Sequence, residues 1–265
     1  MARPFEDSAP CLLRRATPAP GGREVLFIHG AWHGPWCWDG LWETAARAGH
    51  GVSLLELPGH GEEPWPLPPL TSLADYADLA RRAAASLGRP VLVGHSLGGW
   101  LIQKILEVAD LPAFLLAPVP GAGLPLLRLA RLMAEFPAQV LPCLAGRPLV
   151  IATPAMQARL FHGRLPLAAV ERLWPRLVPE PALAALELGL GLTRARPRPG
   201  REPRLVLAPG ADYFIPAAAF AHLAGKLGAR LTVLPDMPHN PWLEDPAGLV
   251  ARQLAEFLAG QAAYA

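Results

Sequence analysis

Ser96 stands between two glycines in Gly94-His95-Ser96-Leu97-Gly98, with the apolar run Val91-Leu92-Val93 ahead of it. A serine hydroxyl is a poor nucleophile until a neighbouring base removes its proton, and it must also stand clear of the backbone. A sharp strand-to-helix turn achieves this by holding the serine in a strained conformation. Side chains at 94 and 98 would collide with that turn or with the packed helix, so glycine is predicted at both positions. The Leu97 N–H then falls at a helix N-terminus without an intrahelical acceptor and can meet a developing oxyanion, with the helix dipole in support. A chance Gly-x-Ser-x-Gly in a Gly- and Ala-rich chain would lack the strand before it and the helix after it.

Two further residues complete a possible hydrolytic set. His239, in Leu234-Pro-Asp-Met-Pro-His239-Asn-Pro-Trp, is the last of eight histidines and follows the last apolar run. A lone loop histidine is usually polar surface; the chain order Ser, Asp, His favours a general base. Asp212, in Ala208-Pro-Gly-Ala-Asp212-Tyr-Phe-Ile-Pro216, could be a plain helix cap or turn former. Its place between Ser96 and His239 favours the acid that orients the histidine. Asp236 is the second candidate, set back by its closeness to His239 in sequence.

The stretch His29-Gly-Ala-Trp-His33-Gly-Pro-Trp-Cys-Trp38 also follows an apolar run. Gly30 lets backbone approach closely, and the Ala31 N–H is the expected partner of the Leu97 N–H. Trp32 is the candidate pocket wall, while the other nearby tryptophans (36, 38 and 42) include core residues. His29 and His33 are read as shaping the loop rather than acting as bases.

These residues need a scaffold that brings distant loops to one edge. Short apolar runs at 23–28, 51–57, 91–93, 113–117, 204–208 and 230–234 are each followed by turn residues, as expected of strands buried on both faces of a parallel sheet. Helical spacing appears at 42–48, 73–87, 97–109, 217–227 and 247–258. The alternation predicts an α/β, doubly wound, mostly parallel sheet, whose carboxyl edge collects the reactive groups.

Residues 119–199 break the pattern. They hold helix-like pieces at 124–136, 153–161 and 167–177, no convincing strand, and ten arginines against four glutamates, a net charge of +6. The expected organisation is a core made of 1–118 and 200–265 with an inserted helical cap at 119–199. The Leu-, Ala- and Pro-rich cap suits an apolar group; its arginines solvate exposed helices or favour an anionic substrate.

The chain has 265 residues, 52% hydrophobic and 17% charged, with net charge +2. It can bury a large core and is not disordered; the small charge gives no reason to expect nucleic acid. Cys11, Cys37 and Cys143 lack metal or redox spacing and are read as reduced thiols. The N-terminal stretch reads as too acidic and too short of apolar residues for a signal peptide, and the longest uncharged run, 111–127, is broken by four prolines. A cytoplasmic protein without cofactor, metal or stable membrane insertion is expected. The oligomeric state is left open.

Together these motifs resemble the α/β-hydrolase fold superfamily, from about residue 25 to 258. The resemblance rests on His29-Gly-Ala, Leu57-Pro-Gly-His-Gly61, Gly94-His-Ser-Leu-Gly-Gly99, Gly210-Ala-Asp212, and His239 followed by Leu243-Glu-Asp-Pro246. His29-Gly-Ala-Trp-His-Gly and Gly94-His-Ser-Leu-Gly-Gly are most similar to the small esterase and lyase branch that includes plant methyl-ketone and methyl-salicylate esterases. Members usually carry Gly or Ala before the base, whereas this chain has Pro238. The resemblance implies a serine carboxylesterase acting on a small apolar ester, with Ser96, His239 and Asp212 as catalytic residues, Ala31 and Leu97 as oxyanion donors, and Trp32 against substrate. A C–C bond hydrolase, lyase or acyltransferase on the same three residues is the alternative, as is a non-catalytic small-molecule-binding module. Ser96 itself argues against a haloalkane dehalogenase, which places a carboxylate there, and neither Lys104 nor Lys226 lies near His239 in sequence.

Overall fold

The computed structural model describes residues 10–61, 70–245 and 248–262. The N-terminal stretch 1–9 lies outside them, as do Pro246 and Ala247. Among the described residues, seven strands form one sheet: β1 (Cys11–Ala16), β2 (Glu24–Ile28), β3 (Gly51–Glu56), β4 (Val91–His95), β5 (Ala113–Leu116), β6 (Arg204–Pro209) and β7 (Arg230–Leu234), in the order β1-β3-β2-β4-β5-β6-β7. Five of the pairings are parallel; β1 runs antiparallel to β3 at one edge. The α/β, mostly parallel architecture is therefore the one expected.

Burial explains why the central strands were legible. β3, β4, β5 and β6 are buried along their whole length, so their sequences are continuous apolar runs. β1 was not anticipated. Its sequence, Cys-Leu-Leu-Arg-Arg-Ala, ends in charges because an edge strand is half exposed, and those charges blunt further pairing. β7 was expected to be buried on both faces, but it is the opposite edge and only Leu234 is buried.

Helices cover both faces: α1 (Trp42–Arg47), α2 (Leu73–Ser86), α3 (Leu97–Ile105), α4 (Leu126–Glu135), α5 (Pro137–Leu144), α6 (Pro154–Phe161), α7 (Leu167–Leu173), α8 (Ala182–Leu190), α9 (Ala217–Leu227) and α10 (Leu249–Ala262). α2 begins with a capping box, Ser72 and Asp75 exchanging hydrogen bonds with each other's backbone. Two apolar clusters lie against the sheet. One gathers α2, α3 and α9 residues such as Tyr76, Trp100 and Phe220, and the other gathers Trp38, Phe114 and Phe257.

The connection from β5 to β6 carries α4 to α8. α5 and α8 were not singled out in the sequence, since Pro137 and Pro142 obscure one and α8 is apolar nearly all round. An isolated antiparallel bridge between Leu149 and Glu180 ties this connection together, a pairing too short to leave a strand signature.

Candidate active site

β4 ends at His95 and α3 starts at Leu97, so Ser96 alone makes the turn. Its backbone sits at φ 53, ψ −113, a region that L residues rarely adopt. The turn is over-determined: Ser96 N–H donates to the Leu116 carbonyl at 3.1 Å, and the Ser96 carbonyl accepts from Val119 and Trp100. A Cβ on Gly94 would lie 2.6 Å from Ile102 Cδ1 and 2.8 Å from the Gly98 carbonyl carbon. A Cβ on Gly98 would run into the Ile28 carbonyl oxygen and stand 2.7 Å from that of His29. Only glycine fits at either position.

The structure brings Ser96, His239 and Asp212 into one buried line. His239 Nε2 lies 2.9 Å from Ser96 Oγ, and His239 Nδ1 lies 2.7 Å from Asp212 Oδ2. The other carboxylate oxygen of Asp212 accepts from the Phe214 and Ile215 N–H groups at 2.7 and 3.0 Å. A carboxylate only accepts, so the imidazole proton belongs on Nδ1 and the Nε2 lone pair faces the serine hydroxyl. Asp236, the other candidate acid, is exposed and faces Arg164 instead.

The histidine loop is anchored on several sides. The His239 carbonyl accepts from His95 Nε2 at 3.0 Å, the Asn240 N–H donates to Phe161 in α6, and Asn240 Nδ2 donates to His33 Nε2 at 3.0 Å. Phe214 and Phe161 lie against the His239 ring, with centroids 4.9 and 6.1 Å away.

The loop after β2 is held by its histidines. His33 Nδ1 donates to the Ala31 carbonyl at 2.8 Å, and His29 Nδ1 to the Gly30 carbonyl at 2.9 Å. The His33 N–H also reaches the Gly30 carbonyl. Because a peptide's C=O and N–H point in opposite directions, pinning Gly30 C=O fixes the direction of the Ala31 N–H. Burial holds both imidazoles neutral: His33 is lowered to about 3, chiefly by desolvation, and His29 falls well below its ordinary value for the same reason.

A cavity of about 140 Å³ is lined by Ala31, Trp32, Ser96 and Leu97 together with α4, α5 and α8 residues such as Leu129, Val140 and Leu188. Leu97 is the first residue of α3, so its N–H has no intrahelical acceptor. Trp32 has positive φ and is clamped to the β5–β6 connection: its N–H donates to Glu180 Oε2 at 3.1 Å, its indole N–H to the Leu149 carbonyl at 2.9 Å, and its carbonyl accepts from Val178.

Glu180 and His60 were not singled out as site residues. Both ring nitrogens of His60 face acceptors, Pro58 O at 2.9 Å and Glu180 Oε2 at 3.1 Å, so both carry protons. Burial opposes that charge, but the Glu180 carboxylate outweighs it and raises the His60 pKa. Sequence could not pair residues 120 positions apart; the one available signal was the motif Leu57-Pro-Gly-His-Gly61.

Among the described residues there is no group of three His, Cys, Asp or Glu side chains placed to hold a metal, and no helix long and apolar enough to cross a membrane.

Comparison with known proteins agrees with this architecture. The family model described as "Alpha/beta hydrolase family" matches residues 25–253. "Probable esterase PIR7A" of Oryza sativa subsp. indica is 37% identical over 110 residues, a match covering 39% of this chain and 42% of that protein, under half the length of each. "Methylesterase 18" of Arabidopsis thaliana is 24% identical over 246 residues, covering 84% of this chain and 93% of the relative. Among solved structures, a thermophilic esterase from Thermogutta terrifontis superposes with a TM-score of 0.72 at 20% identity, over 95% of this chain and 93% of that one.

Proposed function

The chain belongs to the alpha/beta hydrolase family, and from that premise we propose that it is a serine carboxylesterase using Ser96, His239 and Asp212. The observation that carries the reading is the unbroken hydrogen-bonded line from Asp212 through His239 to Ser96, ending at the wall of an apolar cavity.

In the proposed reaction His239 Nε2 takes the hydroxyl proton as Ser96 Oγ attacks the ester carbonyl. Asp212 keeps the imidazole in the required tautomer and stabilises the imidazolium. The Ala31 and Leu97 N–H groups receive the oxyanion; losing one such donor costs about 3 kcal/mol of transition-state stabilisation. His239 then protonates the leaving alcohol and activates a water that releases the acid from Ser96. These steps call on no cofactor or metal.

We assign 1–118 and 200–265 to the catalytic core and 119–199 to a helical cap. The support is that α4, α5 and α8 contribute much of the lining of the cavity that Ser96 also lines. The apolar lining, including Trp32, suits a small apolar acyl or alkyl group; a cavity of similar size accepts a benzene-sized molecule. Lys104 is engaged by Glu107 and Lys226 is exposed on α9, which disfavours a lysine-dependent lyase. Cys37 and Cys143 are free thiols, which supports a reducing, cytoplasmic compartment.

The test is hydrolysis of p-nitrophenyl esters from acetate to palmitate by the wild type and Ser96→Ala. Turnover that disappears with Ser96 and peaks at short acyl chains is expected. A folded wild type that cleaves no ester would move the assignment to C–C cleavage, acyl transfer or ligand binding.

A further inference from the structure

Ala31 lies between two peptide units that are pinned by their other atoms. On one side the Gly30 carbonyl accepts from His29 Nδ1 and from the His33 N–H. On the other the Ala31 carbonyl accepts from His33 Nδ1, and the Trp32 N–H donates to Glu180 Oε2 at 3.1 Å. The Trp32 carbonyl accepts from the Val178 N–H at 2.9 Å. The two histidines belong to the loop itself, so they shape it without fixing its place. Val178 and Glu180 belong to the β5–β6 connection and hold the loop from outside. Trp32 sits at φ 62, a conformation that persists only where its surroundings hold it. Peptide units are rigid planes hinged at Cα atoms, so releasing the Trp32 N–H frees rotation at Ala31 Cα, next to the Ala31 N–H.

We infer that Glu180 is a positioning residue for ester hydrolysis: by holding the Trp32 N–H it sets the Ala31 N–H toward the oxyanion, so the helical insertion completes the oxyanion site of the core. The inference rests on the esterase reading and adds a residue that acts through the loop rather than on the substrate. Glu180 is itself held firmly enough for the task. It is almost wholly buried, its Oε2 also accepts from His60 Nε2 at 3.1 Å, and its backbone exchanges two hydrogen bonds with Leu149. Burial and the Glu180 carboxylate beside it keep the Tyr76 hydroxyl protonated by raising its pKa.

Glu187 supplies the comparison. It is a second carboxylate of the same connection, on α8, and it also reaches across to the core. Its Oε2 accepts from the Leu73 N–H, the first residue of α2, at 2.7 Å, and its Oε1 from Thr193 Oγ1 at 2.8 Å. Glu187 therefore fastens the connection at α2, whereas Glu180 fastens it at the loop after β2. A carboxylate that only secures the insertion acts through stability. One that sets an oxyanion donor acts on the rate, because the donor bond strengthens as charge develops on the oxygen.

The experiment measures kcat and KM for p-nitrophenyl acetate, and inhibition by benzyl trifluoromethyl ketone, in wild type, Glu180→Ala, Glu180→Gln and Glu187→Ala. In the ketone adduct Ser96 Oγ bonds to the carbonyl carbon, its proton passes to His239, and the carbonyl oxygen takes the negative charge as an oxyanion. Glu180→Ala is expected to lose about tenfold to a hundredfold in kcat, to keep KM within about twofold, and to weaken the ketone by the same factor as kcat. Glu180→Gln, which keeps an oxygen for the Trp32 N–H, is expected to recover most of both. Glu187→Ala is expected to lower the melting temperature and leave kcat and ketone inhibition within about twofold of wild type. Val178→Pro removes the N–H that serves the Trp32 carbonyl and leaves every charge in place; Leu177, at ψ 141, already has the extended backbone that precedes proline. It carries the same test where Glu180→Ala does not fold, and should lower kcat and ketone affinity together. A rise in KM alone, an equal loss of kcat in Glu187→Ala, or a Glu180→Gln no better than Glu180→Ala overturns the inference and leaves the esterase reading intact. A wild type that cleaves no ester but forms the ketone adduct, weakened in Glu180→Ala and not in Glu187→Ala, overturns the esterase reading and sustains the positioning role. A wild type that does neither overturns both.

Discussion

The backbone N–H of Trp32 donates to the carboxylate of Glu180 at 3.1 Å, across 148 residues of sequence. This bond joins the loop after β2 to the connection between β5 and β6. The indole N–H of Trp32 makes a second joint at the Leu149 carbonyl. Trp32→Phe removes the second joint and keeps the first. It should lower stability by about 1 kcal/mol, because the Leu149 carbonyl loses one of its two donors and keeps the Glu180 N–H, as read from urea denaturation. It should also shift the preferred p-nitrophenyl ester toward longer acyl chains; an unchanged chain-length profile would remove Trp32 from the substrate wall.

Ser96 is held at positive φ by its neighbours, and that conformation is costly for any residue but glycine. Ser96→Gly should therefore lose ester hydrolysis by a factor of about 10³ or more while keeping or raising the melting temperature. A variant that is inactive and also several degrees less stable would mean that the turn is not strained.

Asp212→Asn should keep the oxygen that accepts from Phe214 and Ile215 but present an amide to His239 Nδ1. The wrong imidazole tautomer then follows, and kcat should fall by about 10⁴ with the fold unchanged. Asp236→Asn, on an exposed residue beside Arg164, should leave kcat within a factor of about two. The reverse outcome would exchange the two acids.

Gly98→Ala would drive a methyl group into the Ile28 carbonyl, which is backbone and cannot rotate away. A loss of about 2 kcal/mol or more in stability is expected, with activity lost alongside. Gly225→Ala, where a Cβ meets nothing within 4 Å inside α9, should be neutral or stabilising. Equal melting temperatures for the two variants would contradict the packing at the turn.

His29, His33 and His95 are buried and held neutral, chiefly by desolvation, with His33 lowered from 6.5 to about 3. Each folded value lies below the unfolded one, so below pH 6.5 the unfolded chain binds more protons. The stability from these groups is complete above pH 6.5 and is lost as the pH falls toward the folded values. The loss steepens with each imidazole that stays neutral in the folded chain and takes up a proton in the unfolded one. His60 runs the other way: its folded pKa is raised, so its contribution is complete below 6.5 and is lost as the pH rises through the folded value. Urea midpoints measured from pH 8 to pH 5 should fall on the acid side, more gently in His33→Gln. A flat profile would contradict neutral burial of the three imidazoles.

The sequence by itself was enough for the alternation of strands and helices, for the turn at Ser96, and for His239 after the last strand. Those features are local: two glycines next to a serine, apolar runs that reflect burial on both faces, and turn residues that end each run. Parallel topology then converts chain order into proximity, because the loops that follow β2, β4, β6 and β7 all emerge at one edge. Tertiary structure alone decided what depends on distance rather than order. It set Asp212 against His239 and turned Asp236 toward Arg164. It paired Cys11–Ala16 with β3 at the sheet edge, where two exposed arginines hide the strand from an apolar-run reading, and it placed Glu180 among the cavity residues with His60 and Trp32 as partners. A buried carboxylate is stable only where its partners converge, and partners more than a hundred residues apart leave no periodicity or spacing in the chain to announce them.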